Sequence, residues 1–304
     1  MTHSKSGLLA MIAACTVWGL SPIYYKLLAH VPPLELLAHR TLWSLVVFAG
    51  LLMVQGRISA LGQALKDKRA LPVLAFSALM ITANWFLFIF SIQAGQVTQT
   101  SLGYYMFPLV SVLLGVIVMK ERLAALQWIA VALATLGVVQ LTWGLGAAPW
   151  ISLILAGTFG LYGLVKRNLK IGPVVSVTGE VALLALPAAG YLLWVHGNGA
   201  GHFGTDALTA GMLIFSGVLT ALPLVLFSSA AQKLSMSTVG LLQYVNPTLQ
   251  FFCAVVLFGE ALTIWHTIAF ALIWTALALY SGSGFAQERA RRKSAMTSAA
   301  DSPL

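Results

Sequence analysis

The sequence predicts an all-α integral membrane protein, with ten transmembrane helices built as two inverted five-helix repeats and both termini cytoplasmic. Three observations predict it: unbroken apolar runs long enough to span a bilayer, basic residues gathered in alternate connections, and an internal repeat offset by 139 residues. Of the 304 residues, 59% are hydrophobic and 8% are charged. Soluble domains carry about 25% charged residues. With a mean hydropathy of +0.90, a soluble globule of this size has no means of hiding so much apolar surface, because much of any fold's surface faces water.

A helix needs roughly 20 apolar residues to cross the hydrocarbon core. Ten runs qualify, at 7–29, 34–55, 71–94, 97–119, 123–143, 148–166, 173–195, 207–231, 236–258 and 262–282. Lipid offers no partner to backbone polar groups, so only helices or closed barrels span it. Runs without period-2 alternation select helices. The first run is too long for a signal-peptide core. The connections are short, which makes consecutive helices antiparallel neighbours and leaves no room for a water-soluble domain. Cys15 and Cys253 lie inside apolar runs and read as small packing residues.

Lys and Arg set the orientation. With the N-terminus inside, the inner segments hold Lys5, Arg57, Lys66, Lys68, Arg69, Lys120, Arg122, Lys166, Arg167, Lys170, Lys233, Arg289, Arg291, Arg292 and Lys293, which is 15 of the 17 basic residues. Only Lys26 and Arg40 fall towards the outside. This asymmetry explains the net charge of +9 without nucleic acid as a partner.

The repeat appears when the second half is shifted back by 139 residues. Leu87, Phe88 and Gln93 then meet Leu226, Phe227 and Gln232, and Leu102, Tyr105, Pro108, Glu121 and Leu123 meet Leu241, Tyr244, Pro247, Glu260 and Leu262. Trp18-Gly19-Leu20 matches Phe159-Gly160-Leu161 at a slightly different offset. Each half holds five spans, and an odd number turns the second half upside down. Lys120-Glu121-Arg122, inside, has Gly259-Glu260-Ala261 as its outer partner, stripped of both basic residues. The expected organisation is an N-terminal repeat over 1–145, an inverted repeat over 146–285, and a basic, disordered cytoplasmic tail over 286–304 near anionic lipid. Inverted repeats are a common build of secondary transporters, with substrate held near the midplane between halves.

Specific residues carry a family resemblance. Val17-Trp18-Gly19-Leu20-Ser21-Pro22, Val31-Pro32-Pro33-Leu34-Glu35 running into Ala38-His39-Arg40, the pair Gly179-Glu180, and Gln243-Tyr244-Val245-Asn246-Pro247 followed by Phe258-Gly259-Glu260 are spread over 1–285. In these the chain resembles the drug/metabolite transporter superfamily, and within it the RarD/EamA-type members. The resemblance implies export of amino acids or similar small amphipathic metabolites across a bacterial inner membrane, with no cofactor.

Polar groups at membrane depth are costly, about 2.5–3.5 kcal/mol for a central charge on insertion scales, so they draw functional hypotheses. In the first span Trp18, Ser21 and Tyr25 form one stripe beside Pro22, which reads as a cavity wall or as interfacial packing. The second opens with Glu35, His39, Arg40 and Trp43. Arg40 is either an outer gate that binds a carboxylate or a structural partner of Glu35 or Glu260. The third carries Asn84, Trp85 and Phe88, where Asn84 either meets substrate or bridges two helices. Ser101, Tyr104, Tyr105 and Pro108 share a face of the fourth span, and Gln243, Tyr244, Asn246 and Pro247 are their counterparts in the ninth. These suit a cavity, a hinge, or a packed repeat core. Tyr162 and Phe227 complete the expected cavity. Glu180 in the seventh span is either a proton-coupling carboxylate or a partner of Lys166, Arg167 or Lys170. His196 and His202 flank a Gly-rich outer loop, and with no acid or cysteine at ligand spacing they read as loop residues rather than metal ligands.

No HExxH pair or nucleophile–base motif supports an intramembrane enzyme, and no P-loop supports ATP hydrolysis. A channel would show a filter loop or charged ring. The uncharged aromatic and polar set suits neutral or zwitterionic small molecules. Facilitated diffusion and proton antiport both fit.

Overall fold

The computed structural model describes residues 2–120, 123, 125–146, 148–167, 169–231, 233–234, 242–280 and 282. Among them all regular structure is helical: α1 (Thr2–Leu27), α2 (Pro33–Val54), α3 (Ile58–Lys66), α4 (Ala70–Gln93), α5 (Val97–Met119), α6 (Ala125–Leu145), α7 (Trp150–Arg167), α8 (Pro173–Gly197), α9 (Ala207–Ala231), α10 (Val245–Phe252) and α11 (Ile264–Tyr280). A π-helical turn, Cys253–Leu257, continues α10. Seven of these helices are long and apolar enough to cross a membrane. Trp150–Lys166, Val245–Leu257 and Ile264–Tyr280 are shorter apolar helices. Each overlaps one of the ten runs seen in the sequence. The first starts earlier than expected, at Thr2. The start of the ninth run, Glu121, Arg122, Gln232, Leu241 and the tail 286–304 lie outside the described residues.

Val54, Trp143, Leu186 and Leu193 stand fully outward on their helices. Such apolar outer faces need lipid around them, and the chain is a multi-pass integral membrane protein. The nine-residue α3 was not foreseen, being too short to register as a span. It buries Ala64 and packs Leu61 against Leu52, Leu74 and Val175.

The most extensive helix pairings join early helices to late ones: α5 with α7, α2 with α8 and α9, α1 with α9, α4 with α7, and α1 with α10. Ala130, Ala134 and Leu141 of α6 share a core cluster with Ala269, Ile273 and Leu277 of α11. The α2–α9 crossing is close. A Cβ at Gly217 would lie 2.5 Å from the carbonyl carbon and oxygen of Trp43, so that position demands glycine.

Helix starts are fixed by recognisable devices. Pro33 and Pro173 begin α2 and α8, where the missing N–H costs nothing. Asp206 Oδ1 accepts the Thr209 N–H at 2.8 Å at the start of α9, which holds the Asp206 carboxyl below its ordinary range. The start of α5 is capped from afar: Glu260 accepts the N–H groups of Val97 at 2.6 Å and Thr98 at 2.7 Å, and the Thr98 hydroxyl at 2.7 Å. A carboxylate on free helix N–H groups also meets the positive end of the dipole.

Candidate functional site

A cavity of about 240 Å³ lies among α1, α2, α4, α5, α7, α8, α9 and α10. Ligand pockets run from about 300 to 1,000 Å³ for drug-sized molecules, so this one suits a smaller metabolite. Ten of its 24 lining residues are aromatic, which makes aromatic rings a large part of the wall.

On α1, Trp18, Ser21 and Tyr25 all line it, as their stripe implied. Pro22 has no N–H to offer the Trp18 carbonyl, and the Ser21 hydroxyl donates to that oxygen instead at 2.7 Å. Pro22 itself is buried behind the wall. Trp18 leans on Phe227 of α9, with centroids 5.9 Å apart. Tyr25 meets Phe88 of α4 edge-on at 5.6 Å.

Arg40 faces the cavity from α2. It is 7% exposed and lines the cavity. Its Nε donates to Thr220 Oγ1 at 2.8 Å, and its guanidinium carbon lies 4.1 Å from the Trp85 ring centre and 5.7 Å from that of Tyr25. Among the described residues no carboxylate pairs with it. Glu35 is taken by His202, and Glu260 by the start of α5. The reason is helical phase: Arg40 is one residue, about 100°, past His39 and faces inward.

Asn84, Trp85 and Phe88 line the cavity from α4. The Asn84 amide is fully engaged. Its Nδ2 donates to the Leu155 carbonyl and to Thr158 Oγ1, both at 3.0 Å, and its Oδ1 accepts the Tyr104 hydroxyl at 3.0 Å. It thus ties α4 to α5 and α7.

Two expected wall residues lie outside the cavity. Ser101 is fully buried and donates to the Pro247 carbonyl at 2.8 Å. Tyr105 stands 2.6 Å from Thr248 Oγ1 and belongs to the α5–α6–α11 core. Its neighbour Tyr104, with Phe107 and Pro108 at helical spacing, faces the cavity. Gln243 and Tyr244, just before α10, and Pro247 within it line the cavity, and Tyr105 stacks on Tyr244 behind the wall. Gln250 also lines it, with a buried Oε1 that has no hydrogen-bond partner among the described residues.

Tyr162 closes the wall on α7 and links it to Glu180. Glu180 is 1% exposed and pairs with Lys166 at 2.7 Å. It accepts the Ser77 hydroxyl at 2.6 Å and the Tyr162 hydroxyl at 3.2 Å. Of the three basic partners considered, Lys166 is in contact, and the Arg167 side chain lies outside what is described.

Several wall residues escaped sequence reasoning, and the repeat held the signal for them. Ile81 and Thr220, Trp85 and Leu224, Phe88 and Phe227, Tyr104 and Gln243, Phe107 and Asn246, and Pro108 and Pro247 are each 139 residues apart, and all twelve line the cavity. Phe159, matched in sequence to Trp18, lines it too.

Comparison with known proteins follows this geometry. The EamA-like transporter family's model matches residues 5–143 and 148–282. Protein RarD of Streptomyces exfoliatus is 40% identical over 299 residues, spanning 98% of this chain and 94% of that protein. An uncharacterized transporter of Vibrio cholerae serotype O1 is 39% identical over 95% of this chain and 96% of its own length. A Pseudomonas aeruginosa protein named chloramphenicol-sensitive protein RarD is 30% identical over 97% and 99%. A solved crystal structure aligns with a TM-score of 0.61 over 91% of this chain and 97% of that one; at 18% identity the likeness is one of fold.

Proposed function

Since the chain belongs to the EamA-like transporter family, we propose that it is a secondary transporter exporting amino acids or similar small amphipathic metabolites by alternating access through this cavity. The observation that carries the reading is the wall itself: six residue pairs related by the repeat enclose one small aromatic chamber. Two halves that contribute equivalent walls can exchange roles, so that the chamber opens first to one side and then to the other.

The helix pairings support the same reading. Exchanging the two repeats turns α5 with α7 into α10 with α1, turns α1 with α9 into α7 with α4, and leaves α2 with α8 unchanged; all of these contacts occur. On this reading ten spans form repeats over 1–145 and 146–285, with both termini cytoplasmic in a bacterial inner membrane.

The polar groups suit a zwitterion. Arg40 offers a guanidinium whose planar fork matches a carboxylate. Gln250 Oε1 offers an unclaimed acceptor, which suits an ammonium. Aromatic walls take the apolar remainder. The test is counterflow of labelled amino acids into liposomes bearing the purified protein, with and without a pH gradient. Saturable exchange independent of pH is the expected result; absence of exchange for every amino acid overturns the substrate assignment.

One observation favours a second reading, proton-coupled efflux of a drug or other metabolite. The Tyr162 hydroxyl donates to Glu180 while its ring lines the cavity, so substrate and carboxylate share a neighbour. Uptake driven by the gradient selects this reading.

A further inference from the structure

Glu35 gathers histidines that the cavity does not use. Glu35 and His39 stand one turn apart on α2, His196 ends α8, and His202 lies in the loop beyond. One carboxylate oxygen of Glu35 and one ring nitrogen from each of His39 and His196 all lie within 4.8 Å of one another. Glu35 is fully buried and His39 is 5% exposed. His39 Nε2 is buried without a hydrogen-bond partner among the described residues. Leaving such a group unsatisfied costs roughly 1–3 kcal/mol, which calls for something to occupy it.

The surroundings are built to hold these groups. His196 Nδ1 stands 2.8 Å from the Leu192 carbonyl, which places its proton there and leaves Nε2 with a lone pair. A Cβ at Gly201 would come within 2.6 Å of three His196 ring atoms, so glycine is what lets that ring sit under the loop. The His202 N–H donates to Glu35 Oε1 at 2.6 Å, and its Nδ1 lies 2.8 Å from Oε2. Phe203 stacks on His39 at 4.9 Å.

We infer that Glu35, His39 and His196 form a divalent transition-metal site, with Zn²⁺ as its ion. Two imidazoles and one carboxylate are the donors Zn²⁺ takes, whereas Ca²⁺ and Mg²⁺ demand oxygen. Zn–N and Zn–O bonds of about 2.0–2.2 Å are reached by side-chain shifts on the order of an ångström. His202, on the carboxylate, orients it as outer-shell partners do. The ion bridges α2 to α8, at the end that the charge pattern places outside. This site stands independently of the transport reading.

The test uses the full-length protein, free of any histidine tag. Zn²⁺ titration by calorimetry is expected to show one ion per chain, with affinity weakened at least about tenfold in His196→Gln. His196 is exposed, so that variant is expected to fold, as thermal unfolding will verify. Should it not fold, Co²⁺ titration of the unmutated protein decides alone: tetrahedral visible bands at one equivalent support the site. No binding to the unmutated protein, unchanged affinity in His196→Gln, or absent Co²⁺ bands overturns it.

Discussion

Replacing Arg40 by Met is the most informative perturbation of the cavity. The guanidinium donates to Thr220 and lies on the Trp85 face. No described carboxylate neutralises it, and on the proposed function a substrate carboxylate is its partner. A bidentate, charge-assisted pair in a buried site contributes roughly 3 kcal/mol. At 1.4 kcal/mol per decade this is about a 100-fold rise in half-saturation concentration for Arg40→Met. Arg40→Lys keeps the charge but loses the fork, and about a tenfold rise is expected. The assay is amino-acid counterflow in liposomes, with competition by the matching amine that lacks the carboxylate. In the unmutated protein the amine competes poorly; in Arg40→Met the two compete alike. A folded Arg40→Met protein with unchanged half-saturation refutes the reasoning. So does an amine that competes as well as the amino acid against the unmutated protein.

Other outcomes follow from the same geometry. Trp18→Ala is expected to cut flux about tenfold or more with little change in thermal unfolding, since Trp18 faces the cavity. Tyr105→Ala is expected to lower stability instead, by about 3–5 kcal/mol, because Tyr105 is packed in the core. Thermal unfolding of both variants in detergent separates the two roles. Glu180→Gln strands Lys166 and is expected to cost about 3–5 kcal/mol, with partial recovery in Glu180→Gln/Lys166→Met; equal unfolding temperatures for the single and double variants would refute the pairing. Gly217→Ala forces a methyl group against the Trp43 carbonyl and is expected to cost about 1–3 kcal/mol, read as a lower midpoint.

Seven of the expected spans were legible because lipid imposes a length on an apolar run, and those runs form helices long and apolar enough to cross a membrane. The short α3 was not, since nine amphipathic residues carry no such signature. Within the cavity, stripes on a single helix read well: Trp18, Ser21 and Tyr25 needed only the 3.6-residue period. Adjacent aromatics did not. Tyr104 and Tyr105 differ by 100° of rotation, and which one faces inward depends on how α5 seats against α10 and α11. Of the partners weighed for Arg40, neither Glu35 nor Glu260 could be ruled in or out from sequence, because its contact, Thr220, lies 180 residues away in the chain. The Glu35–His39–His196 cluster was illegible because its acid arrives from a helix some 160 residues before the loop.

The crossing of early helices with late ones also sets a timetable for assembly. Glu35 waits for His202, 167 residues later, and Arg40 waits for Thr220, 180 residues later. At synthesis rates of about 5–20 residues per second, these groups spend roughly 10–30 s without their final partners. During that interval the nascent first half carries a carboxylate and a guanidinium beside open apolar seams. A chain ended at Leu145 is therefore expected to be degraded when made alone, and to persist when the remainder is supplied as a separate polypeptide. Biogenesis of this fold depends on whatever shelters the half-made protein until its other half arrives.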